Sequence, residues 1–190
     1  MIEKLIIAAD KYLCQVEASF GVPHMLVTLD LIQFIAKNEN FNIFRASASA
    51  ILHDIGLYNN KHMENDTVDN NHGIDSSRLA AKILQDYGFS KIEIDDISTA
   101  IASHCFPGYQ KTPLAKLLWD ADKLNVFIPE MQTVYLGSMG KKGLSKELAI
   151  QKIEQAKNYY FDNFYTQNAR NIAKNNIAVN LNYFSEFYNS

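Results

Sequence analysis

The chain has 190 residues, of which 47% are apolar and 21% charged, and its net charge is −3. This length fits one domain of about 100–200 residues, and the composition is that of a folded globular protein. The slight acidity argues against nucleic acid and anionic membrane surfaces as partners, and no apolar run approaches the ~20 residues of a membrane span. Cys14 and Cys105 form no C-x-x-C pair, so a disulfide framework is not expected and we predict a cytoplasmic protein.

Apolar residues recur at helical spacing of three and four residues along the first half of the chain. The pattern predicts a first helix over residues 2–16 and a second that opens at Pro23, where a missing N–H is harmless. A third helix is predicted over residues 43–54, stopping near Gly56. The polar stretch 58–71 has no apolar period and predicts a loop.

Helical patterns continue over residues 74–87, 90–104 and 114–127. Beyond Pro129, three glycines between residues 137 and 143 predict a loose connection. Two further helices, rich in Tyr, Phe and Asn, are predicted in the C-terminal stretch. We therefore predict an all-α protein with a single domain over residues 1–190, which includes a C-terminal helical extension over about 144–190.

His53 and Asp54 are neighbours at the end of an otherwise apolar helix. Adjacent helical residues point about 100° apart, so the two side chains cannot both belong to one narrow apolar stripe. An unpaired buried aspartate is costly, and a divalent cation shared by the imidazole and the carboxylate removes that cost. A satisfied structural histidine is the ordinary alternative for any single histidine of this chain.

Four further residues carry side chains of the metal-ligating type: His24, His72, His104 and Asp122. Together with His53 and Asp54 they provide four imidazoles and two carboxylates, more than one tetrahedral zinc with an open position uses. The set suits two cations about 3.5–4 Å apart with one bridging carboxylate. Imidazole with carboxylate favours Fe, Mn, Co, Ni or Zn over Ca or Mg. The predicted cofactors are therefore two divalent transition-metal ions.

The order of these residues resembles the H…HD…D signature of the HD-domain metal-dependent phosphohydrolases over roughly residues 20–128. His24, the pair His53-Asp54 and Asp122 carry the signature, and His72 and His104 match the extra histidines of the binuclear branch. The resemblance implies an HD-type helical bundle with the metals inside it. It also implies hydrolysis of a phosphomonoester or phosphodiester, in a nucleotide or related small phosphate ester, by a metal-activated hydroxide.

The sequence departs at two places from the pattern of the cyclic-dinucleotide phosphodiesterase branch of this family. Leu57 stands where the cyclic-dinucleotide phosphodiesterase branch usually has a lysine, and residues 107–109 only partly match that branch's G-Y-P element. Cyclic dinucleotides are therefore not the first choice of substrate. Two other functions stay open: a di-iron oxygenase of the same superfamily, and a non-catalytic helical module that senses nucleotides.

Asp54, Lys123 and Arg78 are the candidate catalytic residues. Asp54 is the metal-bridging candidate, whereas Lys123 and Arg78 are candidate phosphate contacts, with an ordinary surface lysine and arginine as the alternatives. Asp120 is interpreted as an acceptor that orients a ligand imidazole. Cys105 follows His104 directly, but we interpret it as a structural thiol because sequence neighbours at a helix end need not face each other.

An aromatic cluster is predicted on a C-terminal helix: Tyr159, Tyr160, Phe161, Phe164 and Tyr165. Core packing or a homodimer face is the ordinary interpretation, and stacking on a substrate base is the alternative. His62 lies in the polar loop and is expected to be exposed. The expected partner is a small-molecule phosphate ester or nucleotide.

Overall fold

The computed structural model describes residues 1–17, 19–60, 63–64, 67–68, 71–175 and 179–189. Within these residues the chain is all-α apart from one short hairpin, which confirms the predicted fold class. The helices are α1 (Ile2–Leu13), α2 (Val22–Asn38), α3 (Ile43–Leu52), α4 (His72–Asp86), α5 (Lys91–Ser103), α6 (Pro113–Leu124), α7 (Pro129–Lys141), α8 (Lys146–Asn163), α9 (Gln167–Asn175) and α10 (Asn182–Asn189). Strands β1 (Met63–Glu64) and β2 (Thr67–Val68) pair antiparallel.

Two short 3-10 helices, Ile55–Asn60 and Asn125–Phe127, follow α3 and α6. None of the helices in the described part of the chain combines the length and apolarity needed to cross a membrane.

Short polar side chains begin several of these helices. Asn42, Thr112 and Ser145 each accept a hydrogen bond from the backbone N–H three residues later, which satisfies a donor that the helix leaves open. Ser90 and Glu93 form a complete capping box at the start of α5. These caps lie close to the helix starts that the sequence predicted.

Helix α2 is the central element of the fold. It is buried along most of its length and packs against α3, α6 and α10. Small residues of α3, among them Ala46, Ala48 and Ala50, are fully buried and let that helix approach its neighbours closely. This arrangement brings the N-terminal end of α2 and the C-terminal end of α3 into one buried region, where the candidate site lies.

Several local predictions were wrong. The polar stretch 58–71, predicted as a loop, contains the end of the 3-10 helix Ile55–Asn60 and the strands β1 and β2. Helix α3 ends at Leu52, so His53 and Asp54 lie in the turn after it rather than inside the helix. The glycine-containing stretch predicted as a loose connection is mostly helix α7, because its buried Met131 and partly buried Val134 and Tyr135 pack on the core. That packing offsets the cost of about 1 kcal/mol that each helical glycine carries relative to alanine.

The C-terminal extension has three helices instead of the predicted two. The break between α8 and α9 is held by Asp120 of α6, which accepts hydrogen bonds from the backbone N–H groups of Tyr165 and Thr166 and from the Thr166 hydroxyl. Burial raises the pKa of Asp120 to about 6, against the lowering effect of these donors. Asp120 therefore anchors the extension and does not orient a ligand imidazole, contrary to the sequence interpretation.

Asp30 of α2 anchors the start of α10 in a similar way. Its Oδ1 accepts a hydrogen bond from the backbone N–H of Tyr183, and its Oδ2 accepts one from that of Phe184, each at 3.2 Å. Two buried aspartates of the core thus hold the last helices in place. The extent of the single domain remains a prediction.

Candidate metal centre

Six side chains from five parts of the chain converge on one buried point. His24 comes from the first turn of α2, His53 and Asp54 from the turn after α3, His72 from the start of α4, His104 from the end of α5 and Asp122 from α6. Their exposed fractions are 0–7%. We call these six residues the donor cluster. All six residues that the sequence singled out as metal ligands are therefore brought together.

Gly56 explains how two of these parts come so close. A Cβ at this position would lie 2.6 Å from the His72 carbonyl oxygen and 2.8 Å from the Ser76 Oγ. The backbone N–H of Gly56 donates to the same Ser76 Oγ at 2.8 Å. Only a residue without a side chain allows this approach, which places His72 beside Asp54.

One half of the donor cluster is formed by His24, His53 and Asp122. The Nε2 atoms of His24 and His53 are 3.1 Å apart, and Asp122 Oδ1 lies 3.1 Å from His24 Nε2 and 3.9 Å from His53 Nε2. Asp54 Oδ2 completes this half, at 3.6 Å from His24 Nε2 and 3.3 Å from His53 Nε2.

The other half is formed by His72 and His104, whose Nε2 atoms are 3.2 Å apart. The second carboxylate oxygen of Asp54, Oδ1, lies 3.2 Å from His72 Nε2 and 3.1 Å from His104 Nε2. Asp54 thus presents one oxygen to each pair of histidines. This is the arrangement expected of a carboxylate that bridges two cations.

The orientation of two histidine rings is compatible with a bound cation. The Nδ1 of His53 lies 2.7 Å from the Ala50 carbonyl oxygen, and that of His104 lies 2.6 Å from the Ile101 carbonyl oxygen. A carbonyl only accepts, so each Nδ1 carries a hydrogen, and Nε2 is the nitrogen of each ring that faces the cluster and can bind a cation. Carbonyl-oriented imidazoles of this kind are typical of metal ligands.

The buried carboxylates of the cluster also favour positive charge close to them. Burial alone would raise the pKa of Asp54, but His53, His104 and His72 hold it well below its usual range. Burial lowers the pKa of His72, but Asp54 and Cys105 outweigh this and raise it to about 9. Buried carboxylates and imidazoles therefore gain stability from shared cations or, where none is bound, from shared protons.

A cavity of about 400 Å³ opens over the donor cluster. Its far side comes from α7 and α8, and we call the following residues the outer wall: Tyr135, Met139, Lys152, Ile153, Tyr159 and Tyr160. Two of the five predicted aromatic residues, Tyr159 and Tyr160, therefore line this cavity. Tyr159 is 48% exposed, so it is not a core residue.

Lys123 lines the cavity beside the donor cluster. Its Nζ lies 2.6 Å from Asp122 Oδ2, the oxygen of Asp122 that is not close to the histidines, and 5.1 Å from the centre of the Trp119 ring. Burial lowers the pKa of Lys123, but Asp122 outweighs this and raises it, so the lysine is charged. The structure thus places Lys123 where it can hold Asp122 and contact a ligand.

Arg78 is not brought to the site. Its side chain is 74% exposed and pairs with Asp75 at 3.2 Å, and Arg78 does not line the cavity. His62 lies outside the described residues, so its predicted exposure stays a prediction.

Sequence reasoning missed Cys105, Lys152 and Tyr135 as cavity residues. Cys105 Sγ lies 3.1 Å from His72 Nε2 and 3.3 Å from His104 Nε2, so this thiol does face its neighbour in sequence. The H-C dipeptide was the available signal for Cys105. No signal pointed to Lys152 or Tyr135, because the sequences of α7 and α8 carry no motif and only a weak helical pattern of apolar residues.

Comparisons with solved structures support the fold. A predicted HD superfamily hydrolase from an uncultured Thermotogales bacterium aligns with a TM-score of 0.64 and 21% identity, over 99% of this chain and 90% of that one. YpgQ of Bacillus subtilis in complex with ADP aligns with a TM-score of 0.70 and 18% identity, over 99% and 93% of the two chains. A second structure of YpgQ aligns with a TM-score of 0.66 and 18% identity, over 100% of this chain and 95% of that one.

No curated protein sequence gives a significant match. The HD domain family, in contrast, matches residues 22–126, which is more than half of the chain and includes the entire donor cluster. By its sequence, its helical fold and its converging histidines and aspartates, this chain belongs to the HD domain family.

Proposed function

We propose that this protein is a metal-dependent phosphohydrolase with two divalent cations, acting on a small phosphate ester, with nucleotides as the first candidates. The observation that carries the proposal is the position of Asp54, one oxygen of which faces His24 and His53 while the other faces His72 and His104. Membership of the HD domain family supports the same class of reaction.

The donor cluster divides into two cation positions in this proposal. His24, His53, Asp122 and Asp54 Oδ2 would hold the first cation, and His72, His104 and Asp54 Oδ1 the second. When bound, divalent cations lower the pKa of coordinated water and offset negative charge on phosphoryl oxygens. The protein contributes buried donors whose orientation is set before the substrate arrives.

Other residues hold the donor side chains in position. The Ala50 and Ile101 carbonyl oxygens hold the tautomers of His53 and His104. Lys123 holds the free oxygen of Asp122 and adds a positive charge at the edge of the cavity. This charge is suited to an anionic substrate such as a phosphate ester.

The cavity supports a small substrate. Its volume of about 400 Å³ lies toward the lower end of the usual range for ligand sites, about 300–1,000 Å³. Lys123 and Lys152 provide positive charge on opposite sides, and Tyr159 and Tyr160 provide aromatic surface for a nucleobase. The YpgQ structure that aligns with this chain holds ADP, which supports nucleotides as the first class to test.

The test is a screen of nucleotides and simple phosphate esters with Mn²⁺, Co²⁺, Ni²⁺, Fe²⁺ and Mg²⁺ supplied separately. We expect metal-dependent release of phosphate or of a nucleoside monophosphate by the wild-type protein and none by Asp54→Asn. Asp30→Asn is the control, because Asp30 is an equally buried aspartate that lies outside the donor cluster.

The same screen separates the alternatives. Turnover with a redox-inactive metal without oxygen would exclude the di-iron oxygenase. Nucleotide binding without turnover under any metal would contradict the proposal and favour a sensing module.

A further inference from the structure

The ammonium group of Lys123 lies close to two aromatic rings. Its Nζ is 5.1 Å from the centre of the Trp119 ring and 5.8 Å from that of the Tyr160 ring, both within the about 6 Å over which a ring face attracts a cation. Trp119 stands one turn before Lys123 on α6, whereas Tyr160 belongs to α8. The centres of the two rings are 6.3 Å apart, with an angle of 86° between their planes. Lys123 therefore contacts both the core and the C-terminal extension.

The ion pair between Lys123 and Asp122 needs such support. Consecutive residues of an α-helix point about 100° apart around its axis, so their side chains do not ordinarily meet. Lys123 Nζ nevertheless lies 2.6 Å from Asp122 Oδ2, which requires the flexible stem of the lysine to bend back toward its neighbour. The two aromatic rings favour this conformation, because they attract the ammonium group at the place where it reaches the carboxylate.

The position of Lys123 affects the donor cluster and the cavity together. The other oxygen of Asp122, Oδ1, lies 3.1 Å from His24 Nε2. The lysine side chain is 18% exposed and lines the cavity, so its charge is available to an anionic ligand. A displaced lysine would leave both the carboxylate and such a ligand without this charge.

The two adjacent tyrosines of α8 differ in what they contact, although both line the cavity. Tyr160 packs against the hydrophobic core, and its ring lies close to Trp119, Lys123 and Tyr159. Tyr159 is 48% exposed. A ring that already lies against a cation and an indole has less free surface for a nucleobase than an exposed ring has.

We propose that Tyr160 is a positioning residue that holds Lys123 for an anionic ligand, while Tyr159 stacks on the base of a nucleotide. This inference rests on the phosphate-containing ligand of the proposed function. It divides the aromatic surface of the outer wall into one residue that serves the charge and one that serves the base. Tyr160 acts through the lysine and needs no contact with the ligand.

Two probes that share a diphosphonate group separate these roles: α,β-methylene-ADP, which has a base, and methylenediphosphonate, which has none. Titration calorimetry with Mn²⁺ in excess gives their dissociation constants. Tyr160→Leu should raise both constants by about three- to tenfold, because Lys123 loses its aromatic support. Tyr159→Leu should raise only that of α,β-methylene-ADP, by about the same factor. Tyr160→Phe keeps the ring and should bind both probes as the wild type does.

A double-mutant cycle tests whether Tyr160 acts through Lys123. In a Lys123→Met background, Tyr160→Leu should change the dissociation constant of methylenediphosphonate by less than about twofold, since the charge is already gone. A further loss of about three- to tenfold in that background would show that Tyr160 supports the cavity in another way, and would overturn the proposal.

A second substitution guards against a folding defect in Tyr160→Leu. Tyr160→Met also removes the aromatic ring, and the flexible methionine side chain fills irregular apolar space. It should weaken both probes as Tyr160→Leu does. Circular dichroism shows which variants are folded, and folded Tyr160→Met with wild-type affinity for methylenediphosphonate would contradict the proposal.

The outcomes separate this inference from the proposed function. If the probes bind in the expected pattern but no phosphate ester is hydrolysed, the inference stands and the proposed function fails. If Tyr159→Leu and Tyr160→Leu both weaken α,β-methylene-ADP alone while hydrolysis is observed, both tyrosines stack on the base, and only the inference fails. Binding of neither probe by the wild-type protein would also overturn the inference.

Discussion

The two sides of the cavity are built differently. The donor cluster consists of buried side chains on core elements from α2 to α6, with exposed fractions of 0–7%. The outer wall comes from α7 and from α8, the first helix of the C-terminal extension, and it includes Tyr159, which is 48% exposed. Buried side chains can hold metal ions in fixed positions. Exposed side chains, in contrast, can be replaced by other residues without disturbing the core. We therefore propose that the donor cluster carries the chemistry and that the outer wall selects the substrate.

The largest effects should come from the donor cluster. His24→Gln and His104→Gln each remove a ligand from one half of the cluster, and each should lower kcat by about 100- to 1,000-fold, the usual cost of losing one electrostatic stabiliser. Measured kcat and metal content check this expectation. A variant with full activity and reduced metal content would show that its half of the cluster is not needed for turnover.

Asp120→Ala tests how the outer wall is held. Removing a buried acceptor of three hydrogen bonds should lower the free energy of unfolding by about 2–3 kcal/mol, which urea denaturation would measure. The metal content should stay at its wild-type value, because Asp120 contacts the extension rather than the donor cluster. Loss of metal with unchanged stability would contradict the division between the two sides.

Lys123 lines the cavity between the donor cluster and the outer wall. Lys123→Met leaves the free oxygen of Asp122 without its partner and removes a positive charge from the cavity, so kcat/KM should fall by about 10- to 100-fold. Lys116→Met is the control, because Lys116 lies on the same helix, is exposed and is not part of the cavity lining. Equal effects of the two substitutions would argue against a specific role for Lys123.

The smallest effect is expected at the outer wall. Lys152→Met should raise KM for a nucleotide by about two- to fivefold with little change in kcat, since Lys152 is exposed and an exposed charge pair contributes below about 1 kcal/mol. Lys146 of the same helix is exposed and outside the cavity lining, so Lys146→Met should leave KM unchanged. A large fall in kcat for Lys152→Met would move this lysine into the catalytic machinery.

The sequence predicted the donor cluster well because its chemistry is visible in residue types and order. A buried carboxylate beside a histidine needs a positively charged partner, and all six donors stand in the order typical of the family. The outer wall could not be predicted in this way, because tyrosines on an amphipathic helix have the same pattern whether they face a core, a second chain or a cavity. Glycines in α7 weakened the helical pattern, and only tertiary packing shows why the helix forms.

Two aspartates of α6 also show that a local sequence pattern does not reveal distant contacts. Asp120 and Asp122 stand two residues apart on α6 and point to different sides of it, so one holds the extension and the other joins the donor cluster. The family motif identified Asp122. The partners of Asp120 are 45 and 46 residues away in the chain, which no local pattern reveals.

Metal content is the most direct test of the central claim, that Asp54 joins two cation positions. Elemental analysis of the wild-type protein loaded with Mn²⁺ or Fe²⁺ should give about two metal ions per chain, as a bridging carboxylate requires. Asp54→Asn should bind far less of either metal, while Asp30→Asn should bind the wild-type amount. A wild-type protein that binds no metal, or an Asp54→Asn variant that binds as much as the wild type, would contradict the account.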